Sequence, residues 1–255
     1  MKHVTIDYLD YLNEVTVTIK KRSYELMKIV EKGRVLDVGC GPATDTIALA
    51  KLVGKFGQVV GIDNNEKMIQ EAEIRKNREQ KLAPVITHKK CCAYQIPYEN
   101  NYFDSCRSER VLQHLSTPEK AISEMVRVTK KGGHIVVIDT DFATTSVDTT
   151  EKELERSLIN CYLDYGPQNA DIGRQLYRLF KQQNIEFSIE IHPYMFSNYQ
   201  VLYKTFLQSF YKIAVEKKVL TEKQIAKFAK NLKESCQKDM LFASVSQLVI
   251  TGHIK

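Results

Sequence analysis

No C-x-x-C spacing occurs among the six cysteines, Cys40, Cys91, Cys92, Cys106, Cys161 and Cys236. A zinc site, or any metal site built on them, is therefore not expected. They read as reduced thiols filling small apolar positions in a cytoplasmic protein. If Cys91 and Cys92 lie on a strand, they point to opposite faces. No run approaches the roughly 20 apolar residues that a membrane span needs. The N-terminus, Met1-Lys2-His3-Val4-Thr5-Ile6-Asp7-Tyr8, lacks the basic-then-apolar order of a secretory signal. Internal repeats and low-complexity tracts are absent, and so is any appendage typical of nucleic-acid binders, so a nucleic-acid partner is not expected.

The chain has 255 residues, 43% hydrophobic and 27% charged, with a net charge of +6. That length suits one large α/β domain with a helical subdomain. The basic excess selects neither nucleic acid, membrane nor anionic ligand.

Strand-length apolar runs alternate with helical patterns through the first 140 residues. Strands are expected at 34–38, 57–62, 84–87, 102–106 and 134–138, with helices at 44–53 and 65–80. Ser116-Thr117-Pro118-Glu119 reads as a helix start, and Lys130-Lys131-Gly132-Gly133 as that helix's glycine stop. Alternation of this kind argues for a parallel sheet covered on both faces. Beyond it, helices are expected at 151–165, 173–183, 199–218 and 221–238, and strands at 185–191 and 241–251. The last two strands would form an antiparallel edge pair, with a helical cap, 193–240, inserted between them. Residues 1–33 would form a helical lid, and 34–192 with 241–255 the ligand-binding α/β domain.

Asp37-Val38-Gly39-Cys40-Gly41 sits where the first strand ends, the place where open α/β sheets bind ligands. Glycines there let the backbone approach a ligand closely, and the next helix offers free N–H groups. Asp63, 22 positions after Gly41, ends the second strand, where a carboxylate can accept hydrogen bonds from both ribose hydroxyls. A nicotinamide dinucleotide also uses an acid there, but its fingerprint requires glycine at position 44, which is Thr44. Asp37 beside the loop suits a cationic ligand better than a pyrophosphate. S-adenosylmethionine, with a sulfonium, an ammonium and no phosphate, fits the acid-lined loop.

Leu36-Asp37-Val38-Gly39-Cys40-Gly41, Val60-Gly61-Ile62-Asp63, Cys92-Ala93-Tyr94-Gln95-Ile96-Pro97-Tyr98 with Tyr102-Phe103-Asp104, and Arg127-Val128-Thr129-Lys130-Lys131-Gly132-Gly133 resemble the successive motifs of the class I methyltransferases, in particular the small-molecule group of ubiquinone and menaquinone biosynthesis. Arg107-Ser108-Glu109-Arg110-Val111-Leu112-Gln113-His114-Leu115 resembles a subgroup carrying an Asp-x-Asp pair, here Asp139-Thr140-Asp141. Gly173-Arg174-Gln175-Leu176 and the closing strand, 242–252, resemble that subgroup more weakly. The resemblance implies a seven-stranded Rossmann-like methyltransferase sheet, mostly parallel with the last strand antiparallel. It also implies S-adenosylmethionine as methyl donor and S-adenosylhomocysteine as product. The cofactor contacts it implies are Asp37, Gly39, Cys40, Gly41, Asp45, Asp63, Asn64, Met68, Cys92, Ala93, Ser108, Glu109 and Gln113. The segment before the first strand, with Lys20-Lys21-Arg22, offers Tyr11 to close the adenosine pocket and Arg22 to meet the donor's carboxylate, or is an amphipathic helix with a basic face. Two positions depart from the pattern: Ala43 stands at the third small position of the loop, and Cys92 where an acid usually meets the adenine.

Methyl transfer from an activated sulfonium needs alignment and water exclusion more than a catalytic side chain. A base is needed only where the acceptor must lose a proton, and His114 and Asp141 are the candidates. Each has a structural alternative, loop capping in both cases. Asp139 shares the mouth of the expected acceptor pocket with Asp141. Glu109 either meets the donor's methionine end or pairs with Arg107 or Arg110, and Arg174 reads as an exposed helix arginine. The Lys-rich cap, with Phe206, Phe210, Tyr211, Ile213 and Phe228 interleaved, either docks weakly on a membrane or covers an apolar pocket with a solvated outer face. The expected activity is methyl transfer to a small apolar or aromatic acceptor by a monomer or homodimer. A nucleic-acid or protein methyltransferase, and a non-catalytic binder of S-adenosylmethionine, are the alternatives.

Overall fold

In the computed structural model, which describes residues 5–255, strands and helices alternate in the expected order. Residues 1–4 of the expected lid lie outside the described part. Two helices, α1 (Ile6–Val15) and α2 (Val17–Leu26), precede β1 (Arg34–Val38), α3 (Thr44–Val53), β2 (Gln58–Asp63) and α4 (Glu66–Arg78). Then come β3 (Ile86–Lys90), β4 (Phe103–Glu109), α5 (Pro118–Val128), β5 (Thr129–Val147), α6 (Lys152–Tyr165) and α7 (Ile172–Lys181). The chain continues through β6 (Glu186–Phe196), a helix formed by α8 (Tyr199–Leu202), a π-helical turn at Tyr203–Leu207 and α9 (Gln208–Glu216), then α10 (Glu222–Gln237) and β7 (Ala243–His253).

The seven strands make one sheet in the order β3-β2-β1-β4-β5-β7-β6. β1 to β5 pair in parallel, and β7 runs antiparallel to both β5 and β6. The last two strands are thus an antiparallel pair, with β6 at the sheet edge and the cap helices between them in sequence.

Side chains alternate faces along each strand. Leu36 and Val38 of β1, with Ile135 and Val137 of β5, join the core beneath α5 and α7, where Ile122, Met125, Leu176 and Phe180 are fully buried. Val35, Val136 and Ile138 turn the other way, to Ile19 and Met27 of the α2 segment and Leu49 and Val53 of α3. A separate core lies under the cap, from Phe142 and Leu158 to Phe210 and Phe228.

Three expectations need correcting. Gly132-Gly133 does not stop the helix: α5 ends at Val128, where Thr129 Oγ1 donates to the Met125 carbonyl, and the glycines already belong to β5. Gly132, at φ +79°, turns its N–H to the Ile254 carbonyl. β5 and β6 also run beyond the expected 134–138 and 185–191, because β7 pairs with β5 out to Val147 and with β6 out to Phe196. Finally, β3 ends at Lys90, so Cys91 and Cys92 lie in a loop and not on a strand. All six cysteines are free thiols.

Among the described residues no helix is long and apolar enough to cross a membrane, and no group of His, Cys, Asp or Glu is placed to hold a metal ion.

Candidate functional site

The glycine loop follows β1 directly. Gly39 and Gly41 adopt φ +75° and +51°, the left-handed region that glycine occupies without a Cβ clash. The Gly39 and Cys40 N–H groups both donate to the Ile62 carbonyl, at 2.7 and 3.0 Å, and tie the loop to the end of β2. Ala43 takes the same left-handed conformation, φ +71°, at the N-cap of α3. A residue with a Cβ holds this conformation at a strain of about 1 kcal/mol.

Asp63 closes β2 beside this loop. Its Oδ2 accepts the Gly41 N–H at 3.0 Å and its Oδ1 accepts the Asn65 N–H at 2.8 Å. An ionised carboxylate has about four lone-pair sites, so two remain for a diol. Burial raises its pKa despite these backbone donors. Beneath the loop, His88 Nε2 lies 2.9 Å from Thr46 Oγ1, which donates to the Ala43 carbonyl at 3.1 Å. His88 Nδ1 meets Glu73 at 2.9 Å. A Cβ on Gly61 would stand 2.8 Å from Cys40, His88 and Thr46 alike, so only glycine lets these three close up under the loop.

The period of two places Asp37 on the face of β1 that α2 covers. Parallel register sets Arg107 of β4 beside Asp37, with Glu109 two residues further along the same face. Lys20 and Ser23 of α2 descend on this row, and Asp45 enters from the first turn of α3. Lys20 Nζ donates to Asp45 at 2.6 Å and lies 3.0 Å from Glu109. The Arg107 guanidinium pairs with Asp37 and Asp45, both at 3.3 Å, and with Glu109, and its Nε donates to Ser23 Oγ at 3.0 Å. Tyr24 Oη donates to Asp45. Arg107 is only 1% exposed.

The carboxylates of this cluster split. Burial pushes Asp37 up to about 7, although Arg107 and Lys20 oppose it. Burial acts on Asp45 in the same sense, but Arg107 and Lys20 outweigh it and hold that carboxyl far below the usual range. Glu109 is likewise lowered, against burial, by Lys20, Arg110 and Arg107. Among the described residues, four buried polar atoms at the strand ends have no hydrogen-bond partner: Asp37 Oδ2, Ser108 Oγ, Arg110 Nη1 and Glu109 Oε1, the last in an ion pair with Arg110 Nε at 3.4 Å. Buried polar groups ordinarily find partners. The open carboxylate oxygen of Asp37 suits a cationic group, as the methionine end of S-adenosylmethionine has.

The remaining expected residues fall into three groups. Gln113 holds the 110–114 turn: its Nε2 donates to the Arg110 carbonyl and its N–H to Asp139. Met68 is buried on α4, Asn64 is exposed at the end of β2, Cys92 is exposed after β3, and Ala93 packs half-buried against the core. Arg22 is not brought to the loop. Lys204 of the cap stacks over the Tyr11 ring at 5.2 Å, while Leu9 lies over Gly41. Arg22 turns to the sheet edge, bidentate to Glu190 of β6. Two residues on a helix lie about 200° apart, so Lys20 enters the site when Arg22 cannot.

The two base candidates are held in different ways. Asp141 gives Oδ1 to the Ala143 N–H and Oδ2 to Arg174 Nε at 2.6 Å, so both oxygens serve the chain. Arg174, half-exposed, is therefore a bridging residue, and Gly173 beside it lets α7 approach the Asp141 backbone. His114 lies half-buried in the turn Leu112–His114, and burial, aided by Arg110, pushes its pKa down to about 4. Asp139 is fully buried, accepts the Thr140 and Gln113 N–H groups, and is pushed up to about 7 by burial.

The core under the cap is rich in aromatic rings. Phe142 meets Tyr162, Phe206 and Phe210 with ring centroids 4.9, 5.5 and 6.0 Å apart, and Tyr162 stacks on Phe210 at 4.0 Å. The π-helical turn delivers Phe206 and the Thr205 carbonyl, which accepts the Tyr8 hydroxyl of α1 at 3.2 Å. Phe210 and Phe228 point inward while the lysines of α10 stay outside, Lys227 on Glu151 and Lys230 on Glu234.

Sequence reasoning missed Lys20 as a site residue, and treated Arg107 and Arg110 only as partners of Glu109. An arginine inside β4, on the inward face beside Ser105 and Glu109, is the signal that was there to be read.

Comparison with known proteins agrees with this geometry. A family model described as a methyltransferase domain matches residues 29–241. A 37.1 kDa protein of a Streptomyces fradiae transposon is 34% identical over 178 residues, 68% of this chain and 50% of that protein. A demethylmenaquinone methyltransferase of Lactobacillus johnsonii is 32% identical over 128 residues, 50% of this chain and 52% of the enzyme. The chain spans about half the length of the curated relatives it matches. Among solved structures, the YcgJ protein of Bacillus subtilis superposes with a TM-score of 0.64 at 16% identity, over 95% of this chain and 99% of that one. With its sheet order, its glycine loop and the acid that closes β2, the chain belongs to the methyltransferase domain family and has the class I, S-adenosylmethionine-dependent fold.

Proposed function

We propose that the protein transfers a methyl group from S-adenosylmethionine to a small apolar or aromatic acceptor. The observation that carries this is that, among the described residues, the buried atoms Asp37 Oδ2 and Ser108 Oγ beside the glycine loop have no hydrogen-bond partner. Asp37, Asp45 and Glu109 would hold the donor's cationic groups, Lys20 and Arg107 its carboxylate, and Asp63 its ribose. When bound, the donor supplies an activated methyl group. The chain's own part is to orient the partners and exclude water, for which the aromatic core of Phe142, Tyr162, Phe206 and Phe210 under the cap supports an apolar acceptor. His114, neutral at neutral pH because burial disfavours its charged form, would take a proton where the acceptor must lose one. Weak membrane association is not part of this reading, since the cap aromatics face inward.

Isothermal titration with S-adenosylmethionine tests the site, on the wild type and on Asp63→Asn and Asp63→Ala. Losing a charge-assisted pair of hydrogen bonds should weaken binding on the order of 10- to 100-fold. An absence of binding by the wild type, or equal binding by both variants, would refute the assignment. A screen of quinols, phenols and amines with labelled methyl donor then identifies the acceptor; donor binding without turnover on any of them would favour a binding protein.

A further inference from the structure

Arg110 has no role in holding the donor, yet it is built into the site at a cost. Its backbone is left-handed, φ +55°, a conformation that is strained for a residue with a Cβ. The strain is fixed by the Arg110 N–H donating to the Ile138 carbonyl at 2.8 Å and by Gln113 Nε2 donating to the Arg110 carbonyl at 3.1 Å. The side chain is 15% exposed and has one carboxylate contact, Nε to Glu109 Oε1 at 3.4 Å. Glu109 already serves Lys20 and Arg107. Among the described residues, Arg110 Nη1 is buried with no hydrogen-bond partner.

Its surroundings lie on the acceptor side. Gln113, whose side chain donates to the Arg110 carbonyl, donates its N–H to Asp139, and His114 follows in the same turn. Tyr8 belongs to α1 and hydrogen-bonds the cap, and Asp139 gives both its oxygens to backbone N–H groups. A buried guanidinium needs a paired anion.

We propose that Arg110 binds an acidic group, a carboxylate or a phosphate, carried by the methyl acceptor. This rests on the methyl-transfer reading and narrows it, since the acceptor then has an apolar or aromatic body and an oxyanion. A planar guanidinium with an open Nη1 suits either oxyanion.

The test loads the protein with S-adenosylhomocysteine and titrates matched pairs: benzoate with benzyl alcohol, phenyl phosphate with phenol, octanoate with octanol. Wild type should bind at least one acid over its neutral partner, and Arg110→Gln should lose that preference, by on the order of 10- to 100-fold. Arg110→Lys, which keeps the charge and loses the fork, should retain part of it. S-adenosylmethionine affinity and melting temperature are measured on the same preparations. Equal binding of acids and alcohols, no binding of any pair, or an unchanged preference in Arg110→Gln would overturn the proposal. So would a loss in Arg110→Gln that falls on the donor and not on the acids. If wild type binds no S-adenosylmethionine at all, the methyl-transfer reading fails first.

Discussion

Replacing Arg107 by methionine removes the one guanidinium that touches Asp37, Asp45 and Glu109 together. Arg107 is fully buried, and water does not reach the three carboxylates to replace it. Breaking a buried pair by deleting one partner costs about 3–5 kcal/mol, because the remaining charges stay desolvated and uncompensated. For a domain of this size each kcal/mol moves the melting temperature by about 2–4 °C, so Arg107→Met should melt roughly 6–20 °C lower. The loss should depend on pH. Without Arg107, the folded chain must take up protons on its carboxylates, so their folded pKa values rise above the unfolded ones. The stability tied to those protons is present at low pH and is lost as pH rises through the new values. The deficit should therefore be larger at pH 8 than at pH 6. Adding Asp45→Asn should restore part of it, with a coupling of about 1–3 kcal/mol. Urea unfolding of wild type, both single variants and the double variant at the two pH values measures all four terms. A deficit under about 1 kcal/mol, or one that is equal at pH 6 and pH 8, would refute the account of Arg107 as the cluster's counter-charge.

Two further outcomes follow from the same structure. Ala43→Gly removes the left-handed strain but adds backbone freedom to the unfolded chain, two effects of about 1 kcal/mol each. Its thermal midpoint should stay within about 4 °C of wild type, whereas Ala43→Val, β-branched at φ +71°, should fall well below it. Burial lifts Asp37 and Asp139 to about 7, above an unfolded value near 4. Their contribution is full below about pH 4 and is lost as pH rises to 7, so stability should decline across that window by up to about 1.4 kcal/mol per pH unit for each group. Denaturant midpoints at pH 5 and pH 8 check the decline, and Asp139→Asn should flatten it; a profile that rises through the window contradicts the burial argument.

What the sequence makes legible is whatever is contiguous. The β1–loop–α3 segment with Asp63 beyond it can be read directly, because glycine spacing and a strand-ending acid lie within 30 residues of one another. Arg107 beside Asp37 cannot be read that way. Their contact depends on the β1–β4 register across 70 positions, and no local pattern encodes it. Lys20 and Arg22 look alike in a basic run, and only the packing of α2 on the sheet decides which turns inward. Gly132-Gly133 misled for a related reason. Basic residues and glycine after a helix look like a stop, but the strand begins at Thr129 and the turn is required by pairing near Ile254. The lengths of β5 and β6 depend on β7, a partner about 100 and 50 residues away.

That dependence on β7 bears on the order of assembly. β7 is the one strand that joins β6 to the rest of the sheet, and it lies after the cap in the chain. As the polypeptide is made, β1 to β5 can pair as each arrives, with helices covering both faces. β6 and the cap helices then have no sheet to join until residues 243–253 slide between β5 and β6. Until that moment the β5 edge stays open, and an open strand edge invites pairing with other chains. Closure of the sheet by β7 and seating of the cap on Phe142 are thus the same late event. A growing chain completes the parallel strands and their glycine loop first, and the antiparallel edge with its cap last.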